Sequence, residues 1–243
     1  MSSGQTAAAQ PTCHILREDP DLADVLPPTQ RERAIAECIA RTMHIRAGSW
    51  NGAPIGNLRG GIGLLVLDGL LLRRVGVDGR YGGELLGAGD LLRPWQGEDA
   101  HPAIPRTIGW RVLQPTRVAI LDRGVAHRMA HFPELTGRLV ERALERSRNL
   151  SLLIAIVHQP RVEVRLQILF WHLAERWGQV RPDGIALHMH ITHSLLADLI
   201  AARRATVTTA MSELTRRQLI VPINGGWALR GEPPTRQVTQ AIL

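Results

Sequence analysis

Apolar and polar positions change rhythm four times along the chain. Residues 1–13 are small and polar without a period, which predicts a flexible tail. Between His14 and Arg46, Ile35, Cys38, Ile39 and Thr42 recur at three- and four-residue intervals and predict short helix. From Ile45 to Arg123 short apolar runs alternate with glycine turns. Gly63–Leu67 is followed by Asp68-Gly69, Leu70–Val77 by Asp78-Gly79, and Glu84–Leu86 by Gly87-Ala88-Gly89-Asp90. Such punctuation predicts an all-β sandwich or barrel. Arg128–His158 then carries Leu135, Leu139, Ala143, Leu144, Leu150, Leu153, Ile154 and Val157 among charged residues, the pattern of one long amphipathic helix. Pro160 ends it.

The last 83 residues read as a compact α+β unit: helix over Arg161–Trp177, loop over Gly178–Gly184, strand over Ile185–Ile191, two helices and a hairpin. Thr192 is placed to cap a helix over Ser194–Ala201. After the small turn Ala201-Ala202-Arg203, a second helix runs to about Arg217 with Val207, Ala210, Met211 and Leu214 on its buried side. Its opposite side carries Arg204, Thr208, Thr209, Ser212 and Arg216, with no carboxylate in the first eight residues. Arginines and hydroxyls suit base edges and phosphates in a DNA major groove, where carboxylates would mostly repel. Asn224-Gly225 then supplies a tight turn between Leu219–Ile223 and Trp227–Leu229, a hairpin in the position of a wing.

Composition adjusts this picture modestly. A 44% hydrophobic chain of 243 residues can bury a real core, and no apolar run approaches the roughly 20 residues of a membrane span. Met1–Gln10 shows no export signal, and Cys13 and Cys38 form neither a disulfide framework nor a zinc motif, so a reduced, cytoplasmic protein is expected. The formal charge is +7 and every basic residue is arginine, which favours a polyanionic partner without identifying one. His188, His190 and His193 could share a strand face, but no fourth ligand accompanies them and no metal is expected. Gly87-Ala88-Gly89 lacks the lysine and helix of a phosphate loop and reads as a β-turn. Asp198 and Glu213 read as solvated helix faces, and without a nucleophile–base constellation no enzyme is expected.

The run Ile191-Thr192-His193-Ser194-Leu195-Leu196-Ala197-Asp198-Leu199-Ile200, with Arg203-Arg204-Ala205-Thr206-Val207, Leu214 and Leu219-Ile220, resembles the DNA-binding signature of the Crp/Fnr family. Upstream, Gly63–Gly69 and Leu86-Gly87-Ala88-Gly89-Asp90-Leu91 resemble its β-roll, and Arg138–Val157 falls at its dimerisation helix, so the likeness spans about residues 45–230. The fold so implied is α+β: an N-terminal β-roll like the cyclic-nucleotide-binding jelly roll, a long dimerisation helix, and a C-terminal winged helix-turn-helix. Its boundaries are a tail over 1–13, a sensor over 14–128, the helix over 129–160 and the DNA-binding domain over 161–243. The implied protein is a homodimeric, sequence-specific transcription regulator whose partners are a two-fold symmetric DNA site, a second copy of itself and RNA polymerase. A protein-interaction adaptor that does not bind DNA is the alternative.

Position by position, the resemblance puts Arg204 where the family reads guanine. Ala205 and Thr209 stand where the family's namesake has a glutamate and an arginine, so that protein's operator is not implied. Thr208 and Thr209 could make methyl contacts instead. Arg203, Thr206 and Ser194 occupy phosphate-contacting positions, and Thr192, Ser212 and Arg216 complete the expected surface. In the sensor, an iron–sulfur cluster lacks cysteine ligands and haem lacks a marked histidine. Arg106-Thr107 aligns with the arginine end of a cyclic-nucleotide cassette and Glu98 lies near the other end, with Ser151 placed to face a purine. Asp99 and Pro102 depart from that cassette. A cyclic nucleotide, another small effector and no effector all stay open, and no cofactor is assigned.

Overall fold

A computed structural model describes residues 11–52, 60–95 and 103–234. The elements in chain order are β1 (Thr12–His14), α1 (Ile15–Glu18), α2 (Pro20–Asp24), α3 (Pro28–Glu37), β2 (Ile39–Ile45), β3 (Gly48–Trp50), β4 (Gly63–Val77), β5 (Arg80–Gly87), β6 (Leu91–Leu92) and β7 (Thr107–Leu121). Then come α4 (Arg123–Met129), α5 (Pro133–Val157), α6 (Val162–Trp177), β8 (Gly178–Arg181), β9 (Gly184–Leu187), α7 (His193–Leu199), α8 (Arg204–Arg216), β10 (Ile220–Ile223) and β11 (Gly226–Leu229). Two compact units result. One holds residues 1–73 and 85–147, the other 74–84 and 148–243.

The first unit is built on one antiparallel-rich sheet in the order β1-β2-β7-β4-β5, with β3 on β7 and β6 on β4. Two apolar cores form within this unit. Ile45, Leu64, Val66, Leu71, Leu86, Leu92, Val112, Val118 and Ile120 make one, bordered by Trp50, Trp95 and Trp110. The other joins β4 and β7 to α1–α4 and the start of α5 through Ile15, Leu22, Leu121, Val125, Phe132 and Leu135. Three features differ from the sequence pattern. The chain is already strand at Thr12, which pairs with Arg41, so residues 12 and 13 are not tail. Residues 39–45 are strand rather than helix: Ala40 and Thr42 are buried while Ile39 and Arg41 face out, the alternation of a sheet. Asp68-Gly69 does not break the chain into two strands. Gly69 takes φ +101 inside a continuous β4, and any Cβ there would meet Thr116 and the Pro115 carbonyl at 2.5–2.6 Å.

The long α5 divides its apolar residues between two sides. Leu135 and Leu139 are buried in the first unit, while Val140, Leu144 and Ile154 stand 54–60% exposed. Polar anchoring accompanies the buried side. Arg142 grips both Asp19 oxygens at 2.6 and 2.7 Å and Asp21 at 2.7 Å, and Arg138 adds a 2.7 Å bond to Asp21. Asp19 meanwhile caps α2 by accepting from the Leu22 amide. Arg142 and Asp19 are almost fully enclosed, so the planar guanidinium is the only practical partner for that carboxylate.

Replacing Arg142 with Met should strand a buried carboxylate and cost about 3 kcal/mol in denaturant unfolding. Hydrogen bonds from Arg142 and Arg138 hold the Asp21 carboxyl below its ordinary value, as Arg117 does for Glu18. A depressed carboxyl stabilises the fold above its unfolded pKa and loses that contribution as pH falls through its folded pKa. Unfolding midpoints should therefore drop on acidification below about pH 4, and drop less steeply in Arg142→Met.

Candidate nucleic-acid interface

The second unit places α8 by its buried face. Val207, Ala210, Met211 and Leu214 are at most 2% exposed, at positions one helical turn apart. Leu195, Leu196 and Leu199 of α7 and Leu166, Leu169, Phe170 and Leu173 of α6 are buried in the same unit, and Arg165 bonds the Ile200 carbonyl at 3.3 Å. Thr192 caps α7 as its residue type predicts, its Oγ1 accepting from the Leu195 amide at 3.2 Å. Ala201 makes the turn between α7 and α8 with φ +51, a left-handed conformation that costs a β-carbon-bearing residue about 1 kcal/mol. Beyond α8, Ile220–Ile223 and Gly226–Leu229 pair around Asn224-Gly225, with Gly225 at φ +78, and the hairpin joins the four-stranded sheet β10-β11-β9-β8. Gly178–Arg181 is a strand of that sheet, not the loop its sequence suggests, and β9 is shorter than the run to Ile191.

Arg203, Arg204, Ala205, Thr206, Thr208, Thr209, Ser212 and Arg216 all lie on the exposed side of this unit, with Thr192 and Ser194 exposed at the start of α7. Among the described residues, no carboxylate lies within ion-pair distance of Arg203 or Arg204. Arg216 differs. It is held bidentately by Glu213 at 2.8 Å, which lowers the Glu213 pKa through that hydrogen bond, and Arg217 shares the same carboxylate at 3.8 Å. Three of the four hydroxyls on the exposed side of α8 turn back to their own helix: Thr208 donates to Arg204 O at 3.0 Å, Thr209 to Ala205 O at 3.3 Å and Ser212 to Thr208 O at 3.0 Å.

Two residues carry more than their sequence positions suggested. His193, weighed only as a metal ligand, has Nδ1 3.0 Å from Thr208 Oγ1 and its ring stacked 6.5 Å from Trp227 of β11. The one hint of this in sequence is its place at the first turn of α7, ahead of a hydroxyl on the next helix. Asp198 is not a solvated helix face: Arg74 of β4, in the same unit, donates from Nη2 to Oδ1 at 3.2 Å, holds Nε in ion-pair contact with Oδ2 at 3.1 Å and stacks 4.3 Å over Tyr81. His188 is taken by Arg181 at 2.9 Å, and no group of three metal-capable side chains occurs among the described residues.

Glu98 lies outside the described residues, Arg106 and Thr107 are exposed at the start of β7, and Ser151 is exposed on α5 in the other unit. Gly87–Asp90 is a turn, as read from sequence, closed by the Asp90 carboxylate accepting from the Gly87 amide at 2.7 Å. Among the described residues no helix is long and apolar enough to cross a membrane.

The elements are those of a β-roll unit, a long helix and a winged helix-turn-helix. Residues 164–230 match the Crp-like helix-turn-helix domain, and the chain has the fold of the Crp/Fnr transcription regulators. It is similar to a cyclic nucleotide-binding domain containing protein from Listeria monocytogenes EGD-e, with 12% identity, TM-score 0.63, and 87% of this chain and 96% of that chain covered. A CooA mutant from Carboxydothermus hydrogenoformans matches at 16% identity and TM-score 0.58, covering 79% and 84%. FixK2 from Bradyrhizobium japonicum matches at 15% identity and TM-score 0.57, covering 79% and 93%. No curated protein matches the chain in sequence.

Ala201→Gly should relieve the left-handed turn and raise unfolding stability by about 0.5–1 kcal/mol. Thr192→Ala should lower it by about 1 kcal/mol through loss of the cap. Both are read from denaturant midpoints.

Proposed function

We propose that this chain is a cytoplasmic, sequence-specific transcription regulator that binds a two-fold symmetric DNA site as a homodimer. The observation that carries the reading is the outward side of α8, where Arg203 and Arg204 stand without a carboxylate partner beside a row of small side chains. Residues near the N-terminus of such a helix meet base edges while flanking groups meet phosphates. Arg204 supplies a planar donor pair for guanine O6 and N7. Arg203, Thr206 and Ser194 contact phosphates. Thr192 joins them, because its oxygen accepts the Leu195 amide while its hydrogen stays available to a phosphate. Ser212 borders this surface, and Arg216, shared with Glu213, contributes less than its charge implies.

Dimerisation follows from the outer side of α5. Val140, Leu144, Ser147, Ser151 and Ile154 recur at alternating four- and three-residue steps, the spacing of a two-helix seam, and all are exposed in the single chain. The exposed Val140, Leu144 and Ile154 are stabilised by burial against a twin helix, and the small Ser147 and Ser151 between them allow its close approach. Two recognition helices related in this way reach major grooves about 34 Å apart. RNA polymerase is the expected partner once DNA is bound. An effector, where one acts, enters through the β-roll unit, with Glu98, Arg106, Thr107 and Ser151 as the cyclic-nucleotide candidates.

Shift assays on a symmetric site should show Arg204→Ala costing about 1–3 kcal/mol and losing preference at one base pair. Arg203→Ala should weaken all sequences alike and lower the log–log salt slope by about 1. Leu144→Glu should give monomers in sedimentation and lose roughly a hundredfold in affinity. Equal affinity of the wild-type chain for every duplex at physiological salt refutes the assignment.

A further inference from the structure

Resting on the reading of α8 as the helix that enters the groove, we propose that the site reads thymine methyl groups through Ala205, Thr208 and Thr209, with His193 holding Thr208 in the reading position. Threonine is ordinarily ambiguous at a base edge, since it offers both a hydroxyl and a methyl. Here the hydroxyl hydrogens are already committed. Thr208 and Thr209 donate their single hydrogens to the carbonyls of Arg204 and Ala205, at 3.0 and 3.3 Å. Turning each oxygen toward the backbone leaves the methyl as the outward group. Ala205, Thr208 and Thr209 stand at i, i+3 and i+4 and are all exposed, so their three methyls share one patch directly after Arg204. Thymine is the only base that presents a methyl in the major groove, and small apolar side chains are its complement. The preferred half-site is therefore a guanine followed closely by thymines.

His193 makes the arrangement specific at Thr208. Because the Thr208 hydrogen already goes to Arg204 O, its oxygen accepts from His193 Nδ1–H at 3.0 Å. The imidazole is itself stacked on Trp227, and Trp227 meets Phe170 edge-on at 5.7 Å. A rotamer change at Thr208 that exposed the hydroxyl would break two hydrogen bonds together. His193 thus ties α7 to α8 at the Thr208 oxygen and to the wing through its ring on Trp227, and acts as a positioning residue.

The test begins with selection of binding duplexes from a random-sequence pool by the full-length chain, followed by anisotropy titrations in which each thymine of the enriched half-site is replaced by uracil, which lacks only the methyl. Each contacted methyl should cost about fourfold in affinity, the factor for one buried methyl-sized group. Thr208→Ser, which keeps the hydroxyl, should erase the thymine–uracil difference at its position, and Thr208→Val should preserve it. His193→Ala should reduce that difference, and His193→Asn, which retains a donor, should restore it. The uracil series uses the unaltered protein and so stands whether or not a variant folds. An enriched palindrome without thymines, or equal binding of uracil and thymine sites, overturns methyl reading while leaving DNA recognition intact. An unchanged thymine–uracil ratio in His193→Ala overturns the role of His193. A pool with no enrichment overturns the assignment of α8 itself, and this inference with it.

Discussion

A thirteen-residue helix in water is marginal by itself, so α8 exists because one of its sides is buried. Val207, Ala210, Met211 and Leu214 occupy that side with almost no exposure. Their packing fixes more than stability. A helix advances 100° per residue, so once those four positions are enclosed, the rotation of every other side chain about the axis is settled. Turning α8 by one residue would bury Thr208 or Ser212 and expose apolar side chains worth roughly 1.5–3 kcal/mol each. The outward presentation of Arg204, Ala205, Thr208 and Thr209 is thus a consequence of the core.

The same division of labour governs α5, with an added electrostatic element. Its inner side is anchored by Leu135 and Leu139 and by Arg142 on Asp19 and Asp21. An enclosed ion pair seldom adds much net stability over an apolar substitute, but removing one member is costly, so its effect is on geometry. The bidentate fork tolerates only one approach of the helix to the α1–α2 segment. With that rotation held, Val140, Leu144 and Ile154 cannot turn inward and stay exposed in the single chain.

The C-terminal elements were legible because their signals are short-range. A threonine cap, a 3.6-residue apolar period and an Asn-Gly turn each act within a few residues of themselves, and α7, α8 and the wing hairpin follow them closely. Elements decided by distant partners were not legible. Ile35, Cys38, Ile39 and Thr42 satisfy a helical spacing, yet Ile39–Ile45 pairs with β7 some eighty residues later, and Arg41 stands opposite Ile120. Gly178–Arg181 carries too little apolar pattern to read as strand and is one because β9 lies beside it. The stripe of α5 looked single because sequence counts apolar residues without saying which neighbour they meet. The contact of His193 with Thr208 is of the same kind: the strand ends at Leu187, His193 opens α7, and its partner lies on the next helix, which spacing along the chain does not show.

Net charge is a poor guide to this surface, and the arginines show why. Arg117, Arg138 and Arg142 are committed to carboxylates that fasten helices to the sheet unit, Arg74 to Asp198, and Arg216 and Arg217 to Glu213. Lysine could neutralise those carboxylates but could not hold two oxygens in one plane or lie over Tyr81 as Arg74 does. An all-arginine chain therefore reflects internal fastening as much as any polyanionic partner. What distinguishes the face of α8 is local: Arg203 and Arg204 have no carboxylate beside them among the described residues. Their charge is not met by a carboxylate of the described residues, and it sits beside the small side chains of Ala205, Thr206, Thr208 and Thr209.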